Sequence, residues 1–238
     1  MWTNIYQMTF ADKIIKFNQQ LEFQGSLPDG IRIMNPFKEN PQANCVMVQF
    51  YQKYYNDHHK RHLILGINPG RFGAGITGIP FTDSKRLKAI CNINYFGKET
   101  HEPSAVFIYD MMEAFGGAQE FYKYFYINSL CPLGFTAPGK NGKEINFNYY
   151  DSKELTAAVF DFIVENIQKQ IDLGNDTDTC FCFGNGKNEK FLRKLNDEKH
   201  FFKNIVALAH PRFIMQYKSV SKQRYVDQYI DAFKKVMV

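Results

Sequence analysis

Cysteine is scarce and unframed in this chain. Of 238 residues only Cys45, Cys91, Cys131, Cys180 and Cys182 are cysteines, and no two are spaced C-x-x-C. An odd count without a framework argues against a disulfide scaffold and for a reducing compartment, which we take to be the cytoplasm. Cys180 and Cys182 would share one face of a strand, too extended for a common disulfide. No apolar run is long enough to span a bilayer. The opening MWTNIYQMTF lacks a basic segment followed by an apolar one, so no signal peptide is expected. Linkers rich in Pro, Gly or Ser, internal repeats and low-complexity tracts are also missing, so residues 1–238 are read as one domain. Charge is nearly balanced: 29 Lys+Arg against 24 Asp+Glu leave +5. That mild excess accommodates a nucleic-acid partner without demanding one. Aromatic residues, in contrast, are abundant, with 23 Phe and 14 Tyr. They can fill a core and leave rings over for stacking.

Periodicity gives alternating helices and strands. Phe10, Ile14, Phe17 and Leu21 recur at helical spacing and predict a helix near residues 7–22. NPFKENPQA, residues 35–43, reads as a surface loop because of its two prolines. Short apolar runs closed by Gly, Pro or polar turns predict strands at about 63–67, 125–129, 179–183 and 205–209. Ser104 precedes a helix that stops at Gly116-Gly117. The run Asp151-Ser152-Lys153-Glu154 has a capping-box pattern. It opens a long helix with Leu155, Val159, Phe162, Ile167 and Ile171 inward, ending at Gly174. A further helix follows Asn188. The last begins near Val220, with Val226, Ile230, Phe233 and Met237 inward.

Strands alternating with helices imply a parallel sheet covered on both faces. Ligands of such sheets bind beyond the carboxyl ends of the strands. Four groups therefore belong to one rim: Asn68-Pro69-Gly70, Asn128 to Pro132, Gly184-Asn185-Gly186 and His210-Pro211-Arg212.

Within GRFGAGITGIPF, Gly73, Gly75 and Gly78 have the G-x-G-x-x-G spacing of a dinucleotide loop. The context is wrong for that motif. Gly73 stands about six residues beyond the expected strand, and Pro80 disfavours helical geometry at Ile79. What the loop offers is a neutral amide at a strand end, close-approaching backbone and an aromatic ring, Phe81. A structural loop with a core Phe is the competing reading of the segment.

Three segments together resemble one family. GINPGRFGAGITGIPF resembles the first active-site motif of the single-strand-selective monofunctional uracil-DNA glycosylases, within the uracil-DNA glycosylase superfamily. INSLCPLGFTAPGKNG resembles that family's middle motif, and AHPRF the start of its second. Order and spacing cover roughly residues 45 to 235, with the likeness nearest to a divergent bacterial branch. The resemblance implies a three-layer α/β/α fold on a central four-stranded parallel sheet. It implies hydrolysis of the N-glycosidic bond of uracil in DNA, leaving an abasic site for base excision repair. It also implies no metal and no organic cofactor; clustered cysteines for an iron–sulfur centre are lacking.

The same resemblance assigns residues. Asn68 matches the amide that positions the attacking water. Phe81 matches the ring that stacks on the flipped base. Ile67 and Gly70 would bring backbone close to base and water, and His210 matches the donor to a uracil carbonyl. The family's base-reading Asn aligns with Ser129, with Asn128 one position earlier. Neighbours on a strand face opposite ways, so Ser129 is the preferred base contact. Arg71 replaces a proline, and Arg212-Phe213-Ile214-Met215 replaces the usual wedge. Arg212, Phe213 and Met215 are candidates to hold the gap left by a flipped base, and Arg71, Lys140 and Lys143 to meet phosphates. His58 and His62 lie four apart, but without a third ligand they read as a solvated basic turn.

The expected partner is DNA, single- or double-stranded, with a damaged base; no membrane is involved and the protein is a monomer. Three alternatives stand beside this reading. One is a glycosylase for xanthine, hypoxanthine or 5-hydroxymethyluracil. Another is a binding-only recognition module on the same fold. The third is a nucleotide-cofactor enzyme that uses GAGITG.

Overall fold

The computed structural model describes residues 7–237. The opening MWTNIY, part of the stretch considered for a leader, lies outside the described residues, as does Val238. In chain order the elements are α1 (Phe10–Gln20), β1 (Arg32–Met34), α2 (Pro36–Glu39), α3 (Pro41–Tyr55), β2 (His62–Gly66), α4 (Ala74–Thr77), α5 (Ser84–Ala89), α6 (Pro103–Phe115) and α7 (Ala118–Tyr124). They continue with β3 (Phe125–Ser129), β4 (Gly134–Pro138), β5 (Glu144–Phe147), α8 (Lys153–Ala158), α9 (Phe160–Asp172), β6 (Asp176–Phe183), α10 (Lys187–Lys199), β7 (Asn204–Leu208), α11 (Pro211–Tyr217) and α12 (Lys222–Lys234).

Four strands form the expected parallel sheet, in the order β3-β2-β6-β7. The chain crosses from β2 to β3 on one side and resumes at β6 on the other. The order therefore reverses beside β2, where open α/β sheets leave a crevice. Alternation of side chains serves the two covering layers. Phe125 and Phe181 turn to one face, where Phe233 of α12 lies 4.6 and 4.9 Å from them. Tyr126 turns to the other, against Phe10 of α1 at 5.6 Å. Cys180 and Cys182 are buried, and both are free thiols. This is the three-layer α/β/α architecture.

Several expectations need correction. Residues 35–43 are not a loop but two helix starts. Asn35 and Asn40 accept from Phe37 N and Gln42 N, and each is followed by proline in the first turn. Asn-Pro is a capping pair whose proline is already set for helix, so the prolines start helices here. The long helix expected after residue 151 is two, broken at Val159 with φ −104° and ψ 6°. Thr156 Oγ1 donates back to Ser152 O at 2.8 Å, a contact that bends helices. The last helix stops at Lys234, and Met237 is exposed. A second sheet, β1-β4-β5, is antiparallel and was not anticipated.

Arg61 anchors the start of β2. Its side chain is fully enclosed, with both terminal nitrogens on Asp57 at 2.9 and 2.7 Å and Nε on Tyr122 O at 2.7 Å. The rings of Phe10 and Tyr55 each lie 4.8 Å from the guanidinium. Removing one partner of such a pair costs more than the pair contributes, because the other charge is left uncompensated. Arg61→Leu should lower unfolding free energy by about 3 kcal/mol in urea titration; a loss below about 1 kcal/mol would contradict this anchoring role.

Candidate active site

A cavity of about 710 Å³ opens at the carboxyl ends of the parallel strands. Ile67, Asn68, Gly70 and Arg71 come to it from the segment after β2, and Phe81 from further along the same connection. Ser129 comes from the end of β3, and His210, Arg212, Phe213 and Met215 from the turn after β7 and the start of α11. Three of the four expected rim groups therefore meet. The fourth, Gly184-Asn185-Gly186, is not among the lining residues. Asn188 of α10 fills that place, donating to Gly66 O and Phe183 O and accepting from the Tyr149 hydroxyl at 2.9 Å.

Asn68 is fixed through both ends of its amide. Nδ2 donates to Phe147 O at 3.2 Å, and Oδ1 accepts from Tyr149 N at 3.1 Å. These bonds tie the end of β2 to the end of β5. An amide oxygen has two lone pairs, so one remains for a water. Parallel pairing sets Gly66 opposite Ser129, which brings the segments after β2 and β3 to one level.

Phe81 has φ 52°, in the left-handed region that a bulky residue rarely enters. Such geometry costs on the order of 1–3 kcal/mol and persists only where the surroundings impose it. Here the imposition is visible. Thr77 Oγ1 donates to Thr82 O at 2.6 Å, Thr82 N donates to Ile79 O, and the Thr82 hydroxyl meets Tyr109 at 3.0 Å. The ring is thereby set 5.7 Å from both His210 and Phe183. A Cβ at Gly66 would lie 3.2 Å from it.

His210 caps α11. Its Nδ1 accepts from Arg212 N at 3.1 Å, which requires the proton of the neutral ring to be on Nε2. Burial, helped by Arg212, lowers its pKa to about 4. The Tyr229 hydroxyl donates to Ala209 O, fixing the residue before it. The arrangement holds a neutral N–H donor beside an aromatic ring.

Asn128 takes no part in the cavity lining. Its Nδ2 donates to the Tyr126 hydroxyl and its Oδ1 accepts from Ser129 N, both at 2.8 Å. Ser129 lines the cavity. Arg71 lies with its guanidinium 4.4 Å from the Phe72 ring. Phe213 is exposed and pairs with Tyr217 at 5.6 Å, while Met215 packs partly on the core. Lys140 and Lys143 sit exposed in the turn between β4 and β5, outside the cavity; the hairpin borders it through Ile145 and Asn146. His62 begins β2, with Nδ1 3.7 Å from Asp176. No group of three His, Cys, Asp or Glu among the described residues could hold a metal ion.

GAGITG encloses a single helical turn, α4, which Gly78 ends with φ +71°. No helix begins directly after Gly78 to receive a pyrophosphate, since α5 starts only at Ser84, whereas the dinucleotide motif requires one. Residues that sequence reasoning missed include Phe72, Glu102, Asn146 and Tyr150. For Glu102 the available signal was an acid and a proline directly before an apolar helix, which names a helix start but not its direction.

The His210 tautomer can be checked by nitrogen-15 NMR. The ring should stay neutral and Nε2-protonated down to about pH 4. A folded pKa below the ordinary 6.5 means that the unfolded chain binds the proton more readily. The histidine's contribution to stability is thus complete above 6.5 and is lost as pH falls toward 4. Titration near 6.5, or a proton on Nδ1, would contradict this geometry.

Comparison with known proteins agrees with the site's placement. The family model of the uracil DNA glycosylase superfamily matches residues 52–234. The crystal structure of wild-type SMUG2 from Pedobacter heparinus is 66% identical over 97% of this chain and 99% of that one, with a TM-score of 0.94. No curated protein sequence matches. With the family model spanning most of its length and the cavity at the sheet's carboxyl edge, the chain belongs to the uracil DNA glycosylase superfamily.

Proposed function

We propose that the protein is a monofunctional DNA glycosylase that hydrolyses the N-glycosidic bond of uracil and leaves an abasic site for base excision repair. The observation that carries the assignment of roles is the convergence of Asn68, Phe81 and a neutral His210 on one cavity. A base must leave the stack before it can be cleaved, and a pocket then reads its faces and edge. In this reading Phe81 stacks on the base, Ile67 and Gly70 approach it with backbone, and Ser129 contacts its edge. Departure of the base leaves positive charge on the sugar and negative charge on the base. The Nε2–H of His210 donates to the carbonyl where that negative charge gathers, the preorganised stabilisation that lowers such barriers most. Asn68 holds the water that captures the sugar. DNA enters along Arg71, Arg212 and the exposed Phe213, with Met215 behind it and Lys140 and Lys143 at the rim. The 66% identity to a Pedobacter heparinus protein supports the bacterial branch.

A second reading keeps the chemistry and changes the base. Asn128 spends its amide on Tyr126 and Ser129 N–H, which leaves a hydroxyl where the family's amide reads uracil. That favours xanthine, hypoxanthine or 5-hydroxymethyluracil as further substrates.

Oligonucleotides with one uracil, single-stranded and paired, followed by alkaline cleavage of abasic sites, test both. Wild-type protein should release uracil. Asn68→Ala should slow release about 100-fold with DNA affinity little changed, and His210→Ala by about 100- to 1,000-fold. Undiminished release by either variant would remove that residue's role. Release from the other bases but not uracil would favour the second reading.

A further inference from the structure

Glu102 is the one acidic side chain among the described residues lining the cavity. It stands at the N-cap of α6, yet its side chain caps nothing. Its backbone N–H donates to Asp83 Oδ2 at 2.6 Å, and its carboxyl turns to the loop after β2. A Cβ at Gly73 would stand 2.1 Å from Oε2, and one at Gly70 3.2 Å from Oε1. Two positions of the glycine loop are thus kept clear for this carboxyl. The second is Gly70, whose backbone borders the proposed site of base and water. No hydrogen bond or ion pair joins the carboxyl to a described residue.

The surrounding charges are mixed. Asp83 is fully enclosed and paired with Arg86 at 2.9 Å, with His101 at 4.0 Å from it. Arg71, His210 and Arg212 face the cavity from the other elements. Burial first, and Asp83 second, hold the Glu102 pKa up to about 7, against the pull of Arg212.

We propose that Glu102 is a further catalytic residue, whose carboxylate takes the proton of the attacking water that the Asn68 amide cannot accept. The proposal rests on the glycosylase reading above. The water oxygen bonds to C1′ of the sugar, and one of its protons passes to Glu102. The C1′–N bond breaks with its electron pair leaving on the base, steadied by His210. Glu102 then returns the proton to solvent. Until the water adds, the carboxylate also opposes the positive charge on the sugar.

Single-turnover release of uracil at saturating DNA, followed across pH, tests this. The wild-type rate should rise with pH and level off above the Glu102 pKa of about 7. Glu102→Gln should be about 100-fold slower on the plateau and lose that rise, with DNA affinity within about twofold of wild type. Glu102→Ala should regain at least about tenfold with added formate, which a purely structural role would not allow. A Glu102→Gln protein with wild-type rate and profile overturns the proposal. If that variant fails to fold, Glu102→Asp decides: a displaced pH limb supports the role and an undisplaced one overturns it. A wild type that releases no base defeats the glycosylase reading itself, and the proposal with it. That outcome is distinct, since failure of Glu102 alone leaves the wild type active.

Discussion

The amide of Asn68 joins the two sheets. One end holds the carbonyl of Phe147 and the other the N–H of Tyr149, so the carboxyl end of β2 and the wall after β5 are set by one side chain. Each such bond contributes only about 1 kcal/mol net, but together they fix geometry that a functional site needs within fractions of an ångström. Asn146, Asn148 and Tyr150, which close one side of the cavity, all belong to the segment held this way. The same contacts leave the Asn68 oxygen one free lone pair, aimed by backbone on a rigid sheet edge.

Around that joint the site stores cost in advance of the reaction. Phe81 is kept in a left-handed backbone by the Thr77–Thr82 contacts. His210 is kept neutral and its proton is committed to Nε2. Both arrangements spend folding stability to place a ring face and a donor where a flat base with developing negative charge would use them. Glu102 supplies the opposite sign on the sugar side. In the proposed mechanism a neutral amide, a neutral donor and a carboxylate divide the work.

The parallel sheet was legible because each strand is a short apolar run with a hard stop. The predicted spans agree with β2, β3 and β7 to within a residue, and with the carboxyl end of β6. The rim residues were legible for the same reason, since the fold class sets the carboxyl ends of all four strands along one edge. The antiparallel sheet was not, because β1, β4 and β5 have three to five residues each. β1 pairs with β4 across about a hundred residues of chain, a contact set by tertiary packing rather than local pattern. The glycines after β6 failed as rim residues because Asn188 folds back from α10 over the strand ends. Gly73 was readable as permissive, but its partner, the Glu102 carboxyl, lies in a separate segment that only the folded chain brings near.

The proposed chemistry depends on a pocket already shaped for an extruded base. The most direct test is a crystal structure with DNA carrying an uncleavable 2′-fluoro-arabino uridine. The uracil ring should lie on Phe81, with a carbonyl oxygen on His210 Nε2, a water on Asn68 Oδ1 and the Phe81 backbone unchanged. A base held outside the cavity, or a Phe81 that relaxes to negative φ as the base enters, would contradict it.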